Sequence, residues 1–326
     1  MGAIPEIYQS WNPKHINTDG QMVLWLNPNS IGVTSGVVAT WPDDGNLGYD
    51  ATQGTGADKP CYSAETVYGE VSVDFEDADT EFMTCGAIPE LEVGEGDFGW
   101  AIAVRFDVLV AAVQGVFHKA HVTSGGSAGA GITFRQMSSG ASLYNERRSQ
   151  AGGGGTKALF NVGDAGQEVD VWHIYSSTRT GGVLSCWVDG VLADSNAADG
   201  SDNYNINYLS GSPIELIIGG TGPSGTDKSL DGTLGDFVMV SGTVGEAARQ
   251  KLEGFIAHKW NGVRGSSDPL LVALLPSTHP YKTIKPSGSV GITMGDGLTG
   301  TASSLSGECA GGLGWFTNEI QSVSRR

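Results

Sequence analysis

The stretch "DFEDADTE" (residues 74–81) gathers five carboxylates within eight residues, the densest acidic run in the chain. Side chains alternate across an extended strand, so Asp77, Asp79 and Glu81 would share one face. Two carboxyl groups held about 5–5.5 Å apart can serve as nucleophile and general acid in retaining glycoside hydrolysis. The run starts with Asp, however, one methylene shorter than Glu, and it lacks the apolar and aromatic surroundings that tune a general acid. The expected reading is a solvated acidic loop between Phe75 and Phe82; were the chain an enzyme, Asp77, Asp79 and Glu81 would carry the reaction. Hard cations take several oxygen ligands, so the same region is also a candidate calcium site. Asp74 and Asp79, joined by Asp227 and Asp231 of "GTDKSLDG", form that set.

Other chemistry-bearing residues point to less. His118 and His121 in "HKAH" lie three apart, which on a strand puts them on opposite faces. "AGGGGTK" (151–157) lacks the Gly-Lys-Ser/Thr order and the following helix of a phosphate loop, and is expected to be a loop tip. His173 beside Trp172 has no Ser or Cys in an elbow context and reads as a structural strand residue. Among the eight tryptophans, Trp25, Trp172 and Trp260 fit core positions. Trp11, Trp41, Trp100 and Trp315 are the more exposed candidates, with Trp41 and Trp100 as glycan-stacking platforms.

The elements that must position these residues are strands. Fifty glycines, 39 % apolar and 17 % charged residues fit a turn-rich all-β chain rather than a disordered one. At least nine short β-type runs separated by Gly-, Asn- and Asp-rich connections predict a sandwich or jelly roll. In two of them Val71, Val73 and Phe75, and Leu184, Cys186 and Val188, each share a face. One helix interrupts the pattern. Ala248, Leu252, Phe255, Ile256 and Trp260 form its apolar stripe, Thr243 and Glu246 have capping-box spacing, and Gly262 stands as its stop. Residues 1–21 read as an arm that docks on something else, and 22–264 as the sandwich. Residues 265–326 read as a wrapping segment followed by a Gly-rich extension, with strand pairing expected near Val290, Ile292 and Met294.

The net charge of −18 is uneven, because residues 1–110 hold 18 acidic and 3 basic side chains. With no basic stripe interleaved with aromatics, nucleic acid is not an expected partner. Cys61, Cys85, Cys186 and Cys309 lack metal-ligand spacing and are expected to be reduced. The first residues have neither the basic nor the apolar region of a signal peptide, and no run approaches 18 apolar residues.

"VDVWHIYSSTRTGGVLSCWVDGVLA" resembles the paired central strands of concanavalin A-like, laminin G-like jelly rolls, through Trp172, His173, Trp187, Asp189 and Gly190. "LDGTLGDFVMVSGTVGEAARQKLEGFIAHKWNG" resembles the closing strand and helix of that family. "LWLNPNS" and "VSVDFEDADTEFMTC" resemble its opening strand and its Phe-Asp-Gly-containing strand. "LLPSTHPYK" (274–282) resembles the tail of versions found in bacterial and phage proteins. The resemblance covers roughly residues 22–282 and departs at "FEDAD", where the family has Phe-Asp-Gly, and at Asn261 before Gly262.

The resemblance implies an all-β concanavalin A-like jelly roll with one short C-terminal helix. The lack of a secretion signal, the ends read as docking segments and the resemblance of the 274–282 tail to phage versions together lead to the expectation of a non-enzymatic bacteriophage virion protein, either a capsid decoration protein or a head or tail fibre component, synthesised in the host cytoplasm and displayed on the virion. Its expected partners are other virion proteins, further copies of itself and host-surface glycans, with no cofactor other than calcium. A carbohydrate-binding lectin and a glycoside hydrolase are the alternatives.

Overall fold

The computed structural model describes residues 8–16, 20–32, 36–63, 71–76, 81–94, 96–109, 113–122, 128–136, 143–148, 155–160, 168–197, 214–221, 229–260 and 271–289. The first strands are β1 (Tyr8–Ser10), β2 (Gly20–Leu26), β3 (Gly36–Val37), β4 (Thr40–Trp41), β5 (Ala51–Thr52), β6 (Cys61–Ser63) and β7 (Ser72–Phe75). Then come β8 (Met83–Ala87), β9 (Phe98–Phe106), β10 (Gln114–Val122), β11 (Ala128–Gln136), β12 (Leu143–Arg148) and β13 (Gly155–Phe160). The last are β14 (Trp172–Thr180), β15 (Val183–Val188), β16 (Val191–Ala197), β17 (Glu215–Ile218), β18 (Gly232–Gly242) and β19 (Ser287–Ser289). Helix α1 (Glu246–Lys259) follows β18, and the short α2 (Leu271–Leu274) follows α1.

These strands form an all-β sandwich of two antiparallel sheets. One runs β16-β15-β14-β9-β18-β7-β6-β3, with β2 also paired to β18, and the other runs β13-β12-β11-β10-β17-β8-β5-β4. The chain crosses between them within "GVVATW", since β3 joins the first sheet and β4 the second. β15 and β16 meet at a two-residue turn in which Asp189 (φ 50°) and Gly190 (φ 79°) both take positive φ, the backbone a tight right-twisted hairpin needs.

Both faces of the nine-stranded sheet are apolar, and β9 shows how. Phe98, Trp100, Ile102, Val104 and Phe106 enter the core between the sheets, while Ala101 and Ala103 face the other way. Those small side chains let α1 approach, and it buries Ala248, Leu252, Phe255, Ile256 and Trp260 there, as the stripe predicts. Burying each large apolar side chain contributes up to about 1.5–3 kcal/mol. Contact is close enough that a Cβ at Gly235 would lie 2.6 Å from the Trp260 ring. The helix start differs from expectation. Gly245 is the N-cap with no side-chain hydrogen bond, because Thr243 Oγ1 donates instead to Asp97 Oδ2 at 2.8 Å.

Within the segment read as a docking arm, β1 pairs with β19, and Trp11, expected to be exposed, is buried against Phe255 with ring centroids 6.0 Å apart. The segment after α2 folds back on the helix. Tyr281 lies so close that a Cβ at Gly254 would meet its Cβ at 2.4 Å, and the Tyr281 carbonyl accepts from His258 Nε2 at 2.9 Å. Cys61, Cys85 and Cys186 are free thiols. No helix among the described residues is long and apolar enough to cross a membrane. The strand expected near Val290 and the site of Gly262 lie outside the described residues.

Candidate functional site

The acidic run does not present a row of carboxylates to solvent over the residues described. Asp77 and Asp79 lie outside them, as does Asp227. Glu81 is buried, and its Oε2 accepts the Glu76 backbone N–H at 2.8 Å, so it closes the loop on itself. Asp74 sits on β7 opposite Thr233 of β18, which in turn lies opposite Arg105 of β9. Thr233 Oγ1 donates to Asp74 Oδ1 at 2.8 Å. Arg105 donates to Thr233 Oγ1 at 3.2 Å and to Asp107 Oδ1 at 3.0 Å. The positive charge at this place is thus a guanidinium. Burial, with a smaller push from Asp107, raises the Asp74 pKa against the opposing pull of Thr233 and Arg105. The Asp231 backbone N–H donates to Gln114 Oε1 and its carbonyl accepts from Asp107 N. No group of three or more His, Cys, Asp and Glu among the described residues is arranged to hold a metal ion, and of the calcium set only Asp74 and Asp231 are among those residues.

Neither expected stacking platform is available. Trp41 and Trp100 are 0 % and 1 % exposed, both within the core between the sheets. Trp100 stacks on Phe134 with centroids 5.1 Å apart and meets Phe117 edge-on at the same separation. Trp100 lies on β9, which is buried on both faces and so has no polar phase to mark which residues are covered, whereas Trp41 lies on a two-residue strand too short to show any alternation. Trp315 lies outside the described residues. His173 is held on both ring nitrogens: Nδ1 is 2.7 Å from Asp189 Oδ2 and Nε2 is 3.0 Å from Glu168 Oε2. Burial works against its charged form, but the Asp189 hydrogen bond and the charges of Asp189 and Glu168 outweigh it and raise the pKa. That is a structural role, as expected. The supposed loop tip at 155–157 is part of β13.

What the fold does assemble is a polar row on the outer face of the eight-stranded sheet. Phe134, Asn145, Phe117, Ile218 and Met83 occupy one cross-strand register and turn inward. The next register, Thr133, His118, Ile217, Thr84 and Thr52, therefore turns outward, and Thr40 extends it on β4. Arg135 and Tyr144 stand opposite each other two residues along. Local sequence explains this arrangement, since Ile132, Phe134 and Leu143 alternate with Thr133, Arg135 and Tyr144. His118 Nδ1 is 3.1 Å from Thr133 Oγ1, and Thr84 Oγ1 donates to Glu215 Oε2 at 3.2 Å.

The row is graded in exposure. Its centre is closed, with His118 3 % and Thr133 1 % exposed, whereas Thr84 and Tyr144 are half-buried and Thr40, Thr52 and Glu215 are exposed. Hydroxyls, a carboxylate and a tyrosine on a rigid sheet can donate to, accept from and pack against a polyhydroxylated ligand. The hydroxyl–imidazole pair of the row, Thr133 with His118, is buried, and the groups that reach solvent are the threonine hydroxyls and the Glu215 carboxylate. The row is not legible in the sequence because single Thr residues in separate runs become neighbours only through register; the polar phase of "ITFRQ" and "SLYNE" is the local signal of it.

No family model matches the chain, and no curated protein matches it. Solved structures align with it at low identity. The structure titled "HCR/D W1238A mutant" aligns with a TM-score of 0.47 at 10 % identity, over 70 % of this chain and 50 % of that one. The botulinum neurotoxin serotype C1 binding domain aligns with a TM-score of 0.43 at 11 % identity, over 70 % and 50 %. The Ruminococcus gnavus IT-sialidase CBM40 bound to alpha2,3 sialyllactose aligns with a TM-score of 0.38 at 12 % identity, over 47 % and 80 %. The chain thus spans about half the length of the first two structures.

Proposed function

We propose that the chain is a non-enzymatic, glycan-contacting structural module of a bacteriophage particle. The observation that carries the glycan contact is the outward polar row Thr40–Thr52–Thr84 with Glu215. It lies on the one broad sheet face that α1 does not cover, and the groups it offers are hydrogen-bonding rather than reactive. Glu81, which a hydrolase would need to show its substrate, is instead buried against the Glu76 backbone. The place on a particle rests on the sequence resemblance of "LLPSTHPYK" to the tail of versions found in bacterial and phage proteins, and is a separate part of the reading.

Each part has its own test. A glycan array probed with the intact chain is expected to show saturable binding that falls in a Thr52→Ala, Thr84→Ala double variant of unchanged melting temperature. Binding that survives that variant would remove the row from the reading, and turnover of a bound glycan would remove the non-enzymatic assignment. For the particle, the recombinant chain is expected to bind purified particles that lack it, and failure to do so would sink the assembly role.

A further inference from the structure

Beside the threonine row the outer face carries an aromatic ring. In "EFMTCG" (81–86) burial alternates strictly: Glu81, Met83 and Cys85 are buried, whereas Phe82, Thr84 and Gly86 are half-buried. Met83 and Cys85 belong to the core between the sheets, so Phe82 shares the outward phase of Thr84. Among the described residues, its ring joins neither that core nor the apolar cluster under α1. Both backbone groups of Phe82 are nonetheless fixed. Its N–H donates to the Asp58 carbonyl at 3.2 Å, and its carbonyl accepts from Nε2 of the buried Gln53 at 3.1 Å. A phenyl ring held at the surface outside either core contributes less to folding than a buried one would.

Space is left around it. The positions two beyond Thr52 and two beyond Thr84 are Gly54 and Gly86, and a Cβ at either would meet nothing within 4 Å. The polar groups here mostly accept. The Thr84 hydroxyl donates its proton to Glu215 Oε2 and accepts from the Gly86 N–H at 3.0 Å, which leaves it a lone pair. The ionised Glu215 side chain is exposed and can only accept. Asp50, also exposed and two residues before Thr52, adds a second negative charge at this end of the sheet.

We infer that Phe82 is the stacking platform of the row and that the ligand is an uncharged glycan. The inference rests on the glycan-contacting reading above and adds the ligand class and the residue that grips the sugar ring. A pyranose has an apolar C–H face and a rim of hydroxyls. Laid on Phe82, it reaches Thr84, about 6.6 Å further along the strand, and gives its O–H protons to the Thr84 lone pair and to Glu215. Carboxylate- or sulfate-bearing sugars bring acceptors and negative charge to a place that already offers both, on a molecule of net charge −18, and are disfavoured. An ammonium-bearing sugar would suit Glu215. The phenyl ring and the threonine hydroxyls carry no charge, however, so most of the contact is of a kind that an uncharged sugar makes in full.

The test uses the intact chain with dextran, galactomannan and xyloglucan as uncharged probes, polygalacturonate as the acidic one and chitosan as the amine-bearing one. At least one uncharged probe is expected to bind, with affinity held within about twofold at about 0.5 M NaCl, because no charge pair is there to be screened. Phe82→Ala is expected to weaken that binding about tenfold or more. Phe82→Leu keeps the apolar bulk but not the flat face, and is expected to weaken it about fivefold. The Leu variant, with near-UV circular dichroism as the check, guards against a folding defect in the Ala one. Binding of an uncharged probe that survives both Phe82 variants but falls in the Thr52→Ala, Thr84→Ala variant overturns the platform and leaves the glycan reading standing. Polygalacturonate bound as tightly as any uncharged probe, or chitosan bound alone and released by salt, overturns the ligand class and likewise leaves that reading standing. Binding to none of the five probes overturns this inference whatever a glycan array shows, and a blank array beside it overturns the glycan reading too.

Discussion

The two outer faces of this sandwich are made by opposite rules. On the nine-stranded sheet the outward residues are Trp25, Ala101, Ala103, Trp172, Ile174, Val238 and Val240, and α1 seals them. The few polar groups there are buried and fully engaged. Asp236, itself buried, accepts from Trp25 Nε1 at 2.8 Å and Trp260 Nε1 at 2.6 Å, with Lys259 Nζ 2.7 Å away. On the eight-stranded sheet the outward residues are Thr, His, Arg, Tyr and Glu, and their exposure rises towards β4. Hydrogen bonds on the first face hold the fold together. Those on the second are left within reach of something outside the molecule. A polar residue therefore means something different on each face, and substitution can measure the difference.

The largest effect is expected at Asp236. Asp236→Ala leaves two indole N–H groups and the Lys259 ammonium without their acceptor in a dry interface, at a cost of about 3–5 kcal/mol in urea unfolding. Glu253 comes next. It is buried on α1 and accepts from Ser176 Oγ, from Arg249 Nη1 at 2.7 Å and from His279 Nε2 at 3.2 Å, and the Arg249 guanidinium stacks on Trp187 at 4.1 Å. Glu253→Gln keeps the shape but removes the charge facing Arg249, for an expected loss of about 2–3 kcal/mol. Because His279 belongs to the segment after α2, faster proteolysis between 271 and 289 should accompany that loss. A loss under 0.5 kcal/mol at either site would mean that the sealed face is not held by its polar clamps, and the contrast between the faces would fail.

Much of the sealed face was legible in the sequence, and little of the open one. The helix stripe from Ala248 to Trp260 has a 3.6-residue period that only one burial pattern satisfies, so it gave both the element and its buried side. The Trp172–Asp189 hairpin was equally plain, because Asp-Gly at 189–190 is a turn signal with a backbone reason. The burial of Trp100 is not legible because nothing local says that β9 is covered on both sides, and that of Trp41 is not because a two-residue strand shows no alternation. β12 and β13 were not recognised: "LYNERR" and "GTKALF" are polar or Gly-bounded, and their pairing comes from β11. The bases of this stretch, Lys119, Arg135, Arg147, Arg148 and Lys157, come onto neighbouring strands only once β10 to β13 align. The acidic first third, by contrast, was read as surface chemistry, yet Asp43 accepts four backbone N–H groups, from Trp25, Gly45, Gly48 and Tyr49, and acts as the organiser of its loop.

Lys119 sharpens the comparison from inside the eight-stranded sheet. Its side chain points inward and is fully buried, and burial lowers its pKa to about 8 despite the opposing charges of Glu92, Cys85 and Glu90. The folded state therefore binds its proton less tightly than the unfolded chain does. Stability should rise with pH between about 8 and the ordinary lysine value near 10.4, the window where the unfolded chain holds more protons. Lys119→Met removes that penalty at the expense of the bond to the Ile214 carbonyl, for an expected net gain of about 1–2 kcal/mol at pH 7. The gain should vanish by pH 11. A gain independent of pH, or a loss at pH 7, would show that the ammonium is held favourably, and that polar groups under the open face stabilise the fold as they do under the sealed one.

The smallest effect on stability is the most informative about function. Thr52 is exposed at the open end of the row, and its hydroxyl makes only a long 3.5 Å contact with the Thr84 carbonyl. Thr52→Val keeps the branched shape that a strand favours and removes the hydroxyl, so urea unfolding should move by no more than about 0.5 kcal/mol. If the row binds glycan, the same substitution should weaken that binding about threefold to tenfold, the worth of one neutral hydrogen bond. Asp236→Asn, at a position that reaches no solvent, should do the reverse: stability falls, while the affinity of the fraction that remains folded is unchanged. A hydroxyl that affects binding without affecting folding, paired with a carboxylate that affects folding without affecting binding, separates the two faces by function. If both substitutions moved the same quantity, the outer row would be one more part of the scaffold.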